Sequence, residues 1–321
     1  MILVEHGPGG QPALFQGAAT VIVARRLREV VPALIRAEEA RRLGGWVAGY
    51  LGYEAGYALE PRLVSLAPRA RRAPLVMLGV FDAPGDAGPA LAAMEDAARD
   101  VAIAPPRPLI TRAAYERAVA RVLDYIAAGD CYQVNLTFPL AARLVSGDAA
   151  GLYGLLRRGG QAGHGAFIDM PAGPAIVSLS PELFFRLDAS GRIEARPMKG
   201  TRPRDPDPAR DRAIAADLAA SPKDRAENLM IVDLLRNDIG RISLPGSVRV
   251  PALHVVETYE TVHQMVSTVE GRLAVPPSLP GLMRALFPCG SVTGAPKIRA
   301  MEIIREVEAR ARDAYCGAIG W

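Results

Sequence analysis

Lys199 and Glu182 are the residues of this sequence whose types and positions most suggest catalysis. Lys199 lies in RPMKGTRPR, and Glu182 lies in SLSPELFF, where a Ser-Pro step precedes an apolar strand. Glu182 starts one predicted strand and Lys199 follows the end of the next, so a hairpin would return both to one end of a sheet. A carboxyl and an amine there could serve as a general acid and a nucleophile or base. The simpler interpretation is a solvated basic turn and an exposed loop glutamate.

Glu227 is a candidate metal ligand in the segment SPKDRAENLMIVDLLRND. The segment predicts a helix over about 222–238, with Ser221 as its N-cap and proline at its first position. Glu227 lies one turn after the helix start, at the edge of an apolar stripe that begins at Leu229. A carboxylate there usually faces water as a favourable partner of the helix dipole. The alternative is a ligand for a hard cation, which would be Mg²⁺ if the substrate is an anion.

His263 is the histidine with the clearest structural context. In TYETVHQMVSTV it shares a predicted strand face with Met265, Ser267 and Val269. A lone histidine on such a face is more often a hydrogen-bonded structural residue than a catalyst. The other three histidines have no acid or nucleophile pattern near them, which excludes a Ser-His-Asp arrangement.

The segment CGSVTGAPK is a candidate anion-binding loop that leads into a helix starting near Pro296. Its glycines would let backbone N–H groups approach an anion at the helix N-terminus. The glycine spacing differs from that of the phosphate-binding loop, so a carboxylate fits better than a triphosphate. A plain helix-entry turn is the alternative.

The elements that must carry these residues follow from periodicity. Thr111 is a predicted N-cap of a helix that stops at Gly129. In CYQVNLTF an apolar face alternates with a polar face that includes Gln133, and we expect the apolar face to pack on the core. Strands follow in quick succession at GAFIDM, AIVSLS, ELFFRL and RIEAR, which is typical of an antiparallel meander. The pattern predicts an α+β fold with helices outside mostly antiparallel sheet.

Composition excludes several classes of protein. A net charge of +4 and 6% aromatic residues argue against nucleic-acid binding, whereas a mild positive balance suits a small anionic substrate. Three widely spaced cysteines argue against a disulfide framework or a zinc cluster. The N-terminus lacks the pattern of a signal peptide, and no apolar run is long enough to span a bilayer. These features predict a cytoplasmic enzyme that binds neither membrane nor nucleic acid.

The domain organisation is predicted from a change in composition. Residues 81–108 are rich in Ala, Pro, Gly and Asp, and we interpret them as a surface excursion or linker. This interpretation divides the chain into an N-terminal lobe with its linker, 1–105, and a catalytic domain, 106–321.

Seven ordered segments make the chain resemble the chorismate-utilising enzyme family. They are GDCYQVNLT, SLSPELFF, RPMKGTRPR, KDRAENLMIVDLLRNDIGR, YETVHQMVSTVEG, LFPCGSVTGAPKIRAMEII and YCGAIGW. They cover nearly all of residues 110–321. The resemblance implies two large packed antiparallel β-sheets with helices outside, and Mg²⁺-dependent chemistry on chorismate.

The resemblance also implies roles for particular residues. Glu182 matches the family's general acid, Glu227 a metal-ligand glutamate and His263 a histidine near the substrate ring. Substrate contacts match Gly200, Thr201, Thr293, Gly294 and Tyr315.

Two positions indicate a branch within the family. The water-using members carry a lysine where this chain has Gln133, and the anthranilate synthases carry alanine where it has Lys199. The resemblance therefore favours the branch that aminates chorismate at C4 on the way to para-aminobenzoate and folate. In that branch a lysine attacks ring C2 and ammonia, supplied by a glutamine amidotransferase, adds at C4. An anthranilate-forming enzyme remains the alternative.

Family members continue beyond YCGAIGW with a second metal glutamate, a carboxylate-binding arginine and a glycine-rich loop. We therefore expect the catalytic domain of this chain to be incomplete at its C-terminus relative to the family. A truncated, non-catalytic binding module is a second hypothesis.

Overall fold

The computed structural model describes residues 1–160, 163–273, 275 and 277–321. By packing, the chain divides into two compact units. Unit 1 comprises Met1–Pro181 and Lys297–Trp321, and unit 2 comprises Glu182–Pro296. Residues on both sides of position 105 belong to unit 1, so the packing divides elsewhere than at the predicted domain boundary, which stays a prediction.

The helices and strands alternate irregularly along the chain. The helices are α1 Leu27–Arg42, α2 Gly56–Leu59, α3 Gly88–Ala97, α4 Arg112–Ala127, α5 Ala149–Arg158, α6 Pro208–Ala220, α7 Pro222–Gly240, α8 Leu279–Leu286 and α9 Lys297–Val307. The strands are β1 Ile2–Val4, β2 Ala13–Phe15, β3 Thr20–Ala24, β4 Trp46–Leu51, β5 Val76–Phe81, β6 Gly85–Asp86, β7 Ala102–Ile103, β8 Arg107–Pro108, β9 Gln133–Val134, β10 Leu140–Ala141, β11 Leu144–Ser146, β12 His164–Ile168, β13 Ile176–Ser180, β14 Leu183–Leu187, β15 Arg192–Arg196, β16 Met198–Pro203, β17 Arg249–Thr258, β18 Val262–Arg272, β19 Gly294–Ala295 and β20 Ala318–Gly320.

Unit 1 is built on two antiparallel sheets, with strand orders β13-β12-β1-β2-β6 and β20-β4-β5-β3. Their inner faces share one apolar core, to which Ile2, Phe15, Tyr50, Met77 and Ile168 contribute. Helices α3 and α5 pack on the first sheet through a second core. This is the face-to-face packing of two sheets with helices outside.

Unit 2 is built on the long hairpin of β17 and β18. Strands β15 and β16 follow one another along the other edge of β18, and the carbonyl of Pro197 between them accepts the N–H of Ser267 at 3.1 Å. Helix α7 lies on this sheet through Ile231, Val232 and Leu235. All the β pairings within each unit are antiparallel, and about 39% of residues are helical and 28% in strands, so the α+β prediction is confirmed.

The predicted helix caps are confirmed. The hydroxyl of Thr111 accepts the N–H of Ala114 at 3.2 Å at the start of α4, and that of Ser221 accepts the N–H of Asp224 at 3.3 Å at the start of α7. Each satisfies a backbone donor that the first helical turn cannot pair.

Most of residues 81–108 are exposed, as a surface excursion would be, but they include α3, which buries Met94 in the core. Two expectations about local structure are wrong. The alternation in CYQVNLTF does not form one continuous strand with a buried apolar face: only Gln133–Val134 is a strand, and Tyr132 is 74% exposed, whereas Val134 packs against buried residues of unit 1. Leu229 is exposed on α7, whose buried face instead includes the polar Asn228. Alternation and helical spacing cannot reveal which face meets a partner element.

Candidate active site

Glu182 and Lys199 are brought together by the strands of unit 2, as the hairpin argument predicts. Strand β14 begins one residue after Glu182 and pairs with β15, with Leu183 opposite Arg196. The sequence predicts that Lys199 follows the end of β15. It lies instead inside the next strand, β16, which pairs with the same edge of β18 after Pro197. The amine of Lys199 therefore belongs to a strand at the edge of the unit 2 sheet.

A β-bulge sets the direction of Lys199. Met198 pairs with Val266 and Thr201 pairs with Gln264, so Lys199 and Gly200 together oppose one residue of β18. Gly200 has φ of +86°, and a Cβ there would lie 2.9 Å from Cβ of Asp224 on α7. Only glycine fits this position without displacing the helix.

Ser291 joins the amine and the carboxyl. Lys199 Nζ donates to the carbonyl oxygen of Ser291 at 2.9 Å, and Ser291 Oγ donates to Oε1 of Glu182 at 2.6 Å. Ser291 is buried in a short 3₁₀ turn, Gly290–Val292, which belongs to the loop CGSVTGAPK. The sequence singles out this loop but not this serine, because the two contacts lie 109 and 92 residues away along the chain.

The environment of Glu182 favours its neutral form. Burial of the carboxyl raises its pKa, and this effect outweighs the hydrogen bond from Ser291, the nearby Lys199 cation and the Met198 N–H, which all lower it. A carboxyl that keeps its proton to a higher pH is what a general acid requires.

The predicted substrate contacts of unit 2 have different surroundings. Thr201 is exposed, and its hydroxyl donates to Gln264 Oε1 at 2.8 Å. Thr293 is fully buried, and its hydroxyl has no hydrogen-bond partner among the described residues. Gly294 follows with φ of +142°. A buried hydroxyl without a partner is a polar group that a ligand could satisfy.

His263 is held on both sides by protein groups. Its Nδ1 lies 3.0 Å from Thr258 Oγ1 and its Nε2 lies 2.8 Å from Asp211 Oδ1. Arg204 donates to both oxygens of Asp211. These hydrogen bonds fit the structural alternative for His263, and its role near a substrate ring stays a prediction.

Replacing Asp211 with asparagine should lower stability at neutral pH. Hydrogen bonds from Arg204 and the Asp205 N–H, with a further one from His263, hold the pKa of Asp211 well below its ordinary value. This stabilisation is present above the unfolded-state pKa of about 3.9 and is lost as the pH falls towards the folded-state pKa. Urea unfolding of wild type and Asp211→Asn should therefore converge in acid.

The exposed Asp217, which pairs with Arg202 at 3.3 Å, gives the matched control, and Asp217→Asn should leave the unfolding midpoint nearly unchanged. Equal midpoints for Asp211→Asn and wild type at neutral pH would show that the network around His263 contributes no stability.

Glu227 offers one carboxylate to a metal ion. It is partly exposed on α7, 3.9 Å from the amine of Lys223. In the part of the chain that the structure describes, no group of three or more His, Cys, Asp or Glu side chains could hold a metal. Mg²⁺ usually keeps several waters and binds through one or two carboxylates together with an anionic substrate, so Glu227 stays a predicted single donor to such an ion.

Gln133 and Tyr315 belong to unit 1. Oε1 of Gln133 is buried and has no hydrogen-bond partner among the described residues, whereas Tyr315 is 62% exposed. The remaining predicted site residues, Glu182, Lys199, Gly200, Thr201, Glu227, His263, Thr293 and Gly294, all belong to unit 2.

The chain is similar to proteins of one family. Residues 2–321 match the family model described as chorismate binding enzyme. The chain is 51% identical over 212 residues to aminodeoxychorismate synthase component 1 of Salmonella typhimurium, covering 66% of this chain and 46% of that protein. It is 41% identical over 309 residues to aminodeoxychorismate synthase of Streptomyces pristinaespiralis, covering 85% of this chain and 42% of that protein. The chain thus spans less than half the length of these curated relatives.

The fold matches a solved structure of related type. Anthranilate synthase component I from Streptococcus pneumoniae superposes with a TM-score of 0.77 at 26% identity, covering 96% of this chain and 79% of that one. Of the helices the structure describes, none has the length and apolar character needed to cross a membrane.

Proposed function

The chain belongs to the chorismate binding enzyme family, and on that premise we propose that it acts as component I of an aminodeoxychorismate synthase. The reaction would convert chorismate and ammonia to 4-amino-4-deoxychorismate and water, in para-aminobenzoate and folate synthesis. Relatives named for this activity at 51% and 41% identity support the proposal.

The single observation that carries the proposal is the Lys199–Ser291–Glu182 cluster. The neutral amine of Lys199 would attack ring C2, the ring double bond would shift, and the C4–O bond would break. Glu182 would give its proton to the departing hydroxyl, which leaves as water. Ammonia would then add at C4, the reverse shift would expel Lys199 from C2 as a neutral amine, and a proton from the new C4 ammonium would return to Glu182.

The proposal includes a partner and a metal ion. Ammonia would come from a glutamine amidotransferase subunit, which agrees with the designation component 1 of the Salmonella relative. Glu227 would contribute one carboxylate to an Mg²⁺ site, where the ion would neutralise carboxylate charge on chorismate. Thr293, Gly294, Gly200 and Thr201 of unit 2 would contact the substrate, and the substrate contacts expected for Gln133 and Tyr315 stay predictions. Cysteines present as thiols fit a reducing, cytoplasmic location.

An anthranilate synthase component I is the second candidate, favoured by the structural match at a TM-score of 0.77. The two reactions place the amino group on different ring carbons and differ in whether pyruvate is released. Product analysis therefore distinguishes them directly.

The test is incubation of the purified full-length protein with chorismate, an ammonium salt and Mg²⁺, followed by chromatography with mass detection. We expect 4-amino-4-deoxychorismate, and we expect its formation to require Mg²⁺ and to fall in Glu227→Gln. Anthranilate with pyruvate would identify the other amination branch. No turnover, with no Mg²⁺-dependent binding of chorismate by calorimetry, would support the non-catalytic alternative.

A further inference from the structure

Ser291 contacts both members of the candidate catalytic pair through different atoms. Its hydroxyl donates to Glu182 at 2.6 Å and its backbone carbonyl accepts from Lys199 at 2.9 Å. The Sγ atom of Cys289 lies 3.2 Å from the same hydroxyl. With 2% of its surface exposed, Ser291 is shielded from competing water.

The turn that carries Ser291 is held closely against helix α7. A Cβ on Gly290 would lie 1.9 Å from Cδ2 of Leu234, so glycine is needed for this approach. The Thr293 N–H donates to the Gly290 carbonyl at 3.1 Å and closes the turn. The backbone of the turn, including the Ser291 carbonyl, is therefore held by contacts that do not involve Glu182 or Lys199.

We propose that Ser291 is a positioning residue for the amination of chorismate: its hydroxyl sets which oxygen of Glu182 carries the acid proton, and its carbonyl orients the amine of Lys199. The catalytic role in this inference rests on the proposed function. The contacts of Ser291 with Glu182 and Lys199 lie within unit 2 and do not depend on that function.

The chemistry follows from the hydrogen-bond capacity of each group. A hydroxyl that donates to Oε1 makes that oxygen an acceptor, which favours placing the proton of the neutral carboxyl on Oε2. A neutral amine has one lone pair, and an N–H directed at the Ser291 carbonyl turns that lone pair away from the loop. Acid and nucleophile are thereby set in one orientation before a substrate binds.

The test that does not depend on activity is an NMR titration. The charged and polar groups that lower the pKa of the Glu182 carboxyl include Ser291, Lys199 of β16 and the Met198 N–H. The ¹³C carboxyl resonance of Glu182, assigned with Glu182→Gln, should titrate at a higher pH in Ser291→Ala, because the hydrogen bond that lowers its pKa is lost. A titration identical to that of wild type would overturn the proposal.

Ser243→Ala is the matched control. It removes a buried serine hydroxyl from unit 2 that has no hydrogen-bond partner among the described residues. Glu182 should titrate as in wild type in this variant, and both variants should unfold cooperatively. A shift of equal size in Ser243→Ala would show that the effect is not specific to Ser291.

The kinetic arm separates this inference from the proposed function. In Ser291→Ala we expect kcat to fall at least about tenfold, the effect of losing one hydrogen bond to an ionisable group, with KM for chorismate little changed. The alkaline limb of the rate profile should move to higher pH, since the acid keeps its proton longer. An unchanged kcat and profile would overturn the positioning role. A titration shift without any turnover in wild type would reject the function and leave the hydrogen-bond assignment intact.

Discussion

Replacing Lys199 with alanine should lower the formation of 4-amino-4-deoxychorismate by on the order of a thousandfold or more, because the proposed covalent step needs this amine. The amine is part-buried and donates to the Ser291 carbonyl. The measurement is the initial rate with chorismate, Mg²⁺ and saturating ammonium, with chorismate binding followed separately by calorimetry.

Lys199→Arg is the informative control for this prediction. Arginine keeps the positive charge and a donor for the Ser291 carbonyl, but its guanidinium does not lose its proton in a protein. A nucleophilic role therefore predicts that Lys199→Arg is about as inactive as Lys199→Ala. Substantial turnover in Lys199→Arg would indicate that the lysine acts by its charge, and unchanged turnover in Lys199→Ala would exclude both roles.

Replacing Arg312 with methionine should reduce the free energy of unfolding by about 3–5 kcal/mol, the usual cost of leaving one partner of a buried ion pair alone. Arg312 of unit 1 donates to both oxygens of Glu308, at 2.6 and 3.0 Å, and to the carbonyl of Asn135 at 2.6 Å. Its guanidinium lies 4.6 Å from the ring centroid of Tyr53. Urea unfolding at neutral pH measures the difference.

Two comparisons locate the origin of that loss. Arg112→Met breaks an exposed pair with Glu116, whose side chains are 92% and 58% exposed, and should cost less than about 1 kcal/mol. The double variant Glu308→Gln with Arg312→Met should recover part of the stability, because no unpaired charge is left inside. A double variant no more stable than Arg312→Met would contradict the assignment of the cost to the Glu308 charge, which without Arg312 still accepts hydrogen bonds from the N–H and hydroxyl of Thr137.

The residues of the candidate site could largely be named from the sequence, but their relations to one another could not. The hairpin argument correctly brought Glu182 and Lys199 to one end of a sheet. It placed Lys199 after a strand, whereas the amine lies within β16 at a bulge beside Gly200. A bulge adds one residue to one strand, so that two residues lie opposite one residue of the partner strand. The alternation of apolar and polar residues does not show where such an extra residue occurs.

The prediction of buried faces from apolar patterns was wrong where burial of a residue depends on a neighbouring element. Tyr132 and Leu229 belong to regular apolar patterns, yet both are exposed, whereas Asn228 is fully buried and accepts a hydrogen bond from Ser267 Oγ at 2.5 Å. Periodicity identifies one face of an element. Only the packed partner decides whether that face is covered.

The sequence by itself determined the α+β class, the capped helices α4 and α7, and the residue types that could carry out acid and nucleophilic chemistry. Those features depend on local preferences that a few consecutive residues express. The tertiary structure alone decided that Ser291 joins Glu182 and Lys199, and that His263 is occupied by Thr258 and Asp211. Such contacts link residues far apart in the chain, and they exist only once sheet register and loop packing have set the distances between them.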